Sequence, residues 1–179
     1  VKILRTSIVL IGLSLASSAA FADEVIPSED EVFTKWGDAA GWSIYIDKTR
    51  NSCLMQKSNG TDAIVQIGLS ESDKFAYLGV FGKVAPEVRA RHSSGDTVLM
   101  IDDMQFKGKL RGWNSENADY HGAYVQTKDL GIAEDVIQRA EVAREVIVFP
   151  DEQLSFSVSM SGSAEALEAA KKCFAEQRS

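Results

Sequence analysis

Cysteine and histidine are nearly absent: the 179-residue chain carries two of each. Structural zinc sites and thiolate-ligated clusters draw three or four such ligands from one chain, so both are excluded, and no metal or other cofactor is expected. An excess of positive charge is also lacking. Lys plus Arg number 19 against 26 Asp plus Glu, a net charge of -7. That excludes recognition of nucleic acid or of an anionic membrane through the net field. Catalytic signatures are missing as well. There is no Cys-x-x-Cys, His-Glu-x-x-His, P-loop, dinucleotide fingerprint, Gly-x-Ser-x-Gly or Ser-x-x-Lys motif. An active site would have to be assembled from scattered residues. What is present is an ordinary globular composition, 45% hydrophobic and 25% charged, of a length suited to one domain.

The long apolar run is N-terminal. Lys2 and Arg5 precede a stretch of apolar and small residues from Ile8 to Ala20, which closes with Ala20-Phe21-Ala22 ahead of Asp23-Glu24. A basic start, an apolar core and a small-x-small site predict a secretory signal peptide over 1–22. The core is too short for an ordinary transmembrane helix. Val1 fits a GTG start and a bacterial gene. Cleavage after Ala22 leaves 157 residues with 17 basic and 26 acidic side chains, a net charge of -9, and no integral membrane segment. Residues 23–31 contain five carboxylates and few apolar groups and read as a flexible acidic leader. A single domain over 32–179 follows. The expected location is the periplasm or the outside of the cell.

Export decides how the cysteines read. An oxidising compartment favours pairing Cys53 with Cys173. The bond would close a loop of about 120 residues, worth ~4–5 kcal/mol in the chain-entropy model. The alternative is two free buried thiols.

Trp42, Ile44 and Ile46 alternate with polar neighbours and predict a half-buried strand; Gly37 and Gly41 mark a turn ahead of it. Further strands are predicted from Cys53, over Ala63 to Leu69, over Phe75 to Phe81, over Thr97 to Ile101, over Met104 to Trp113 and over Tyr120 to Gln126. Asn59-Gly60 is a hairpin dipeptide. The Thr97 to Ile101 run is apolar on both faces and reads as a central strand. A helical period then appears. Ile132, Ala133, Val136, Ile137, Ala140 and Ala143 recur at three- and four-residue steps behind Asp129, the expected cap. Glu145 to Phe149 returns to strand. Leu154, Phe156, Val158 and Met160 alternate with serines, and a last helix starts with Ser163 as its cap. In that helix Lys171 and Lys172 fall in a late turn, which suits its dipole. Ala166, Leu167, Ala170, Cys173 and Phe174 form its apolar stripe, so Cys173 points inward toward Cys53. Hairpin-length turns predict an α+β domain: a mostly antiparallel curved sheet with two helices packed on it. A β-sandwich with a C-terminal helix is the alternative.

Gly41-Trp42-x-Ile44-x-x-Asp47, then Cys53-x-Met55, and much later Ser157-x-Ser159 running into Gly162-Ser163-Ala164-Glu165-Ala166-Leu167 and Cys173 resemble a group of small exported bacterial proteins with one disulfide. The ending is similar to the invasion-associated locus B family. The resemblance covers about a third of the chain, at its two ends. It implies a periplasmic or surface protein of accessory role, and it carries over no catalytic residue.

Candidate sites are few. Lys107, Lys109 and Arg111 alternate with Phe106, Gly108 and Leu110, which puts three cations on one strand face. Trp113 ends that strand. Arg89, Arg91 and His92 lie in the preceding connection. Such a patch in an acidic protein suits a partner's acidic surface or an anionic envelope component; the simpler use is a solvated strand face. Asp119 and His121 are close enough in sequence to share a proton or a metal. Asp102-Asp103 and Glu71-x-Asp73 are paired carboxylates at hairpin tips, where turn formation is the simpler use. Trp36 and Trp42 fit core packing or strand anchoring better than a ligand groove. The reading that follows is an exported, non-enzymatic binding or interaction protein, inhibitor-like or accessory to the envelope, acting through Lys107, Lys109, Arg111 and Trp113. A small envelope hydrolase and a purely structural envelope factor are the alternatives.

Overall fold

The computed structural model describes residues 33–48, 50–59, 63–69, 75–83, 95–114, 119–126, 130–150 and 155–178. The predicted signal peptide and acidic leader lie outside these residues. The elements in chain order are β1 Phe33–Ala39, β2 Trp42–Asp47, β3 Ser52–Asn59, β4 Ala63–Leu69, β5 Phe75–Lys83, β6 Asp96–Ile101, β7 Met104–Asn114, β8 Asp119–Gln126, α1 Leu130–Val142, β9 Glu145–Val148, β10 Phe156–Ser159 and α2 Ser163–Gln177. The strands form one sheet in the order β1-β2-β3-β4-β5-β8-β7-β6-β9-β10. Every pairing is antiparallel. With the two helices this is the expected α+β architecture.

Local chemistry sets the turns. Ala40 and Gly41, both at positive φ (49° and 82°), join Ala39 to its partner Trp42. This is the two-residue hairpin whose twist matches that of the strands. Gly37, expected in that turn, instead belongs to β1, where the register shifts between Lys35 and Gly37. Asp102-Asp103 makes a second two-residue turn between the paired Ile101 and Met104, with Asp102 at φ 49°; Asp tolerates this conformation better than most residues. Asn59 pairs with Ala63 at the next hairpin, whose Gly60 lies outside the described residues.

Alternation divides the sheet into two faces. One carries Trp42, Ile44, Cys53, Met55, Val65, Ile67, Leu78, Val80, Leu99, Ile101, Phe106, Ala123, Val146, Val148 and Val158, all buried in one core cluster with residues of both helices. The sheet curls around this core. The Phe156 ring of β10 comes back against Gly82 of β5, where a Cβ would meet it at 2.9 Å. Phe156 also meets Phe149 edge-on, with ring centroids 6.2 Å apart.

The opposite face is buried as well over β2 to β5, contrary to the half-buried strand expected at Trp42–Ile46. Tyr45, Leu54, Ile64 and Phe81 are buried but stand apart from the core cluster. Ser43, Gln56 and Gln66 follow one another in register on this face and are buried too. Gln66 Nε2 donates to Gln56 Oε1 at 2.7 Å, and Ser43 Oγ donates to Asp38 Oδ1 at 2.8 Å. Bonds of this kind keep buried polar groups from costing their full desolvation.

Helix α2 crosses the core face of β1 to β3. It buries Ala166, Leu167, Ala170, Cys173 and Phe174, the expected stripe. Cys173 is bonded to Cys53 with Cα atoms 6.2 Å apart, and both are fully buried. Two donors hold the entry to the helix: Trp42 Nε1 and Lys57 Nζ both bond the Ser161 carbonyl, at 3.0 and 2.7 Å. Burial holds the Lys57 ammonium below the ordinary lysine range.

The helix termini differ from expectation in two ways. The residue before α2 is Gly162 at φ 82°, with no side-chain cap. Ser163 Oγ instead donates to the Ala140 carbonyl of α1, tying the helices together. The helix also runs on to Gln177 with no basic residue in its last turn, because Lys171 lies mid-helix and bonds Glu168 at 2.7 Å, with Glu141 of α1 at 3.6 Å. In α1, Val136 and Ala140 are buried and Ile137 half-buried, whereas Ile132 is 45% exposed. Ile132 therefore stands outside the buried part of the expected stripe; the Ala133 side chain lies outside the described residues. Asp129 lies outside the described residues.

Candidate functional site

The expected cationic face is in place as far as β7 is described. Phe106 and Gly108 are buried and Leu110 half-buried, while Lys107 and Lys109 are exposed on the outer side. Register places Arg111 opposite Gly122 and Trp113 opposite Tyr120; their side chains lie outside the described residues. The cations are not all available to a ligand. Lys109 stands across from Asp96 and its Nζ forms an ion pair with the Asp96 carboxylate. The hydrogen bond from Lys109 holds the Asp96 carboxyl below the usual range, aided by the Lys109 and Lys107 charges, and the same bond raises Lys109. Lys107 remains the exposed cation beside this pair.

The outer face continues onto β6 and β9, and it holds residues the sequence did not single out. Val98 lies opposite Lys107, and Met100 lies between Gln105 on one side and Ile147 on the other. Val98, Met100 and Ile147 are each half-buried. Beyond Ile147 comes Ser157. The result is a short apolar strip bordered by Lys107, Lys109, Gln105 and Ser157. The signal was present as an apolar run on both faces of Thr97 to Ile101. Read as full burial in a central strand, it concealed the fact that Leu99 and Ile101 face the core while Val98 and Met100 face outward.

The other candidates resolve differently. Asp102 and Asp103 are not a paired acid and base. The Asp102 carboxylate accepts the backbone N–H groups of Arg144 and Glu145, at 3.1 and 3.3 Å. Asp103 points to Arg139 at 3.9 Å. Trp36 and Trp42 anchor strands: Trp36 Nε1 donates to Glu176 at 2.7 Å, and Trp42 holds Ser161. The backbones of Asp119 and His121 lie in β8, opposite Asn114 and Gly112; the His121 side chain, Glu71, Asp73, Arg89, Arg91 and His92 lie outside the described residues. Among the described residues no group of three or more His, Cys, Asp or Glu side chains could hold a metal ion, and no helix is long and apolar enough to cross a membrane.

No protein-family model matches the chain, and no curated protein or solved structure is significantly similar to it.

Proposed function

We propose that this is an exported, non-enzymatic binding protein of the bacterial periplasm or cell surface, accessory to the envelope, which docks a protein or envelope component on the outer face of β6, β7 and β9. The observation that carries the reading is the half-exposed strip of Val98, Met100 and Ile147 beside Lys107 and the Lys109–Asp96 pair. An apolar centre with a charged rim is the usual anatomy of a protein-binding patch. The buried Cys53–Cys173 bond supports the exported location, since such bonds persist in oxidising compartments. The likeness of the two chain ends to small exported single-disulfide proteins, and of the ending to the locus B family, belongs to the same proposal.

The test is site-specific photocrosslinking in the exported fraction, with the crosslinker at Met100 and a control crosslinker at Glu165 on α2. The expected result is one discrete adduct from position 100, weakened by the double substitution K107S/K109S and by high salt. Equal adducts from both positions, or an adduct unaffected by loss of the lysines at low salt, would overturn the reading.

A further inference from the structure

A cleft of about 340 Å³ opens where the end of β3 meets the start of β9 and the end of β10, lined by Asn59, Arg144, Glu145, Ser157 and Ser159. Its volume lies near the lower end of small-molecule sites. Its chemistry is concentrated: a guanidinium, a carboxylate, two hydroxyls and a carboxamide share one small opening. Arg144 and Glu145 form no side-chain ion pair or hydrogen bond with any described residue. An exposed Arg144 and a half-buried Glu145 that border one cleft without pairing leave both side chains for a ligand.

The backbone that presents them is fixed from two sides. Asp102 accepts the N–H groups of Arg144 and Glu145 and donates its own N–H to the Glu145 carbonyl at 3.2 Å. The Arg144 carbonyl accepts the Met160 N–H at 2.9 Å. Ser159 Oγ accepts the Ser161 N–H at 3.3 Å, which leaves the hydroxyl proton free to be donated.

From this arrangement we infer that the cleft binds a small sugar acid, a carboxylate carried on a polyhydroxylated ring. Guanidinium is the side chain that grips a carboxylate through two parallel N–H bonds. The hydroxyls of Ser157 and Ser159 and the amide of Asn59 both donate and accept, as ring hydroxyls require. Glu145 accepts from ring hydroxyls and repels a ligand with a second anionic group. A neutral sugar leaves Arg144 unmatched, and a bare carboxylate leaves the other four groups unused. The cleft adjoins the docking strip at Ser157, but it needs no protein partner, and binding of a small molecule to the purified protein tests it independently of that reading.

The test uses the purified protein and amide chemical-shift titration, with D-glucuronate as probe and D-glucose and acetate as comparisons. Glucuronate is expected to shift the Asn59, Ser157 and Ser159 amides saturably at millimolar concentrations, more strongly than either comparison. R144Q is expected to weaken that affinity about tenfold or more, with a melting temperature close to wild type because the Arg144 side chain makes no hydrogen bond or ion pair with a described residue. No saturable shift, an equal response to acetate, or an undiminished response in R144Q would overturn the inference.

Discussion

Gly162 lies against Ala40 so closely that a Cβ built on it would sit 2.3 Å from the Ala40 carbonyl oxygen and 2.8 Å from the Ala40 Cβ. The tip of the first hairpin thus rests on the residue just before the last helix. Gly162 also holds φ at 82°, where a side chain costs about 1–2 kcal/mol on backbone grounds alone. The two penalties act together, and the obstructing atom is backbone, which cannot swing aside. G162A is therefore expected to lower stability by ~2–4 kcal/mol. Urea unfolding of wild type and variant reads this directly; a loss below ~1 kcal/mol would show that hairpin and helix part easily.

The disulfide joins the same helix to β3 across 120 positions of sequence. Its absence frees a long loop in the unfolded chain, so C53S/C173S is expected to lose ~4–5 kcal/mol. Reduction of the wild type should approach the same value under denaturing conditions and proceed slowly under native ones, since both sulfurs are fully buried. Rapid reduction of the folded protein by a mild thiol would contradict this picture of α2 held firmly on the sheet.

Much of this was legible in the sequence because it was local. Period-two alternation located the strands, and the stripe of α2 placed Cys173 inward. What escaped was non-local. Nothing in Tyr120 to Gln126 says that β8 inserts between β5 and β7, and nothing in Glu145 to Val148 says that β9 pairs with β6. Nothing in the sequence marks Ser43, Gln56 and Gln66 as a buried row; the register that lines them up buries them on the second face of the sheet. Ser163 read as a cap because serine usually serves as one. The positive φ of Gly162 and the approach of α1 redirect its hydroxyl to Ala140. The cleft escaped for the same reason: Asn59 lies some 85 positions from Arg144, and only the curl of the sheet brings them together.

The Asp96–Lys109 pair makes a signed prediction about pH. Its partner lowers the Asp96 carboxyl, so the pair's stabilisation is present above the ordinary carboxylate range and is lost as pH falls through the lowered value. Lys109 is raised, so the same stabilisation persists below the ordinary lysine range and is lost only as pH rises through the raised value. D96N should therefore melt slightly below wild type near neutrality and coincide with it in strong acid. Both side chains are well exposed, so the gap should be small and should close in high salt. Melting curves over the acid range, at low and high salt, check it; a gap that widens on acidification would contradict the assigned pairing.

Asp102 links the fold to the cleft, and its variants separate its two roles. The residue must hold φ at 49° and offer an oxygen to the Arg144 and Glu145 amides. Asparagine meets both demands with a neutral acceptor, so D102N is expected to cost under ~1 kcal/mol and to keep glucuronate binding within about threefold of wild type. Alanine offers no oxygen and adopts this φ at a higher cost, although Ala40 does so in the first hairpin. D102A strains the turn and leaves two N–H groups without their acceptor, an expected loss of ~2–3 kcal/mol. Because those N–H groups belong to the residues that present the guanidinium and the carboxylate, D102A should also broaden the Arg144 and Glu145 amide signals and weaken glucuronate binding under conditions where the protein remains folded. If D102A loses stability but binds glucuronate as wild type does, Asp102 serves the hairpin alone, and Arg144 is positioned by its bond to Met160.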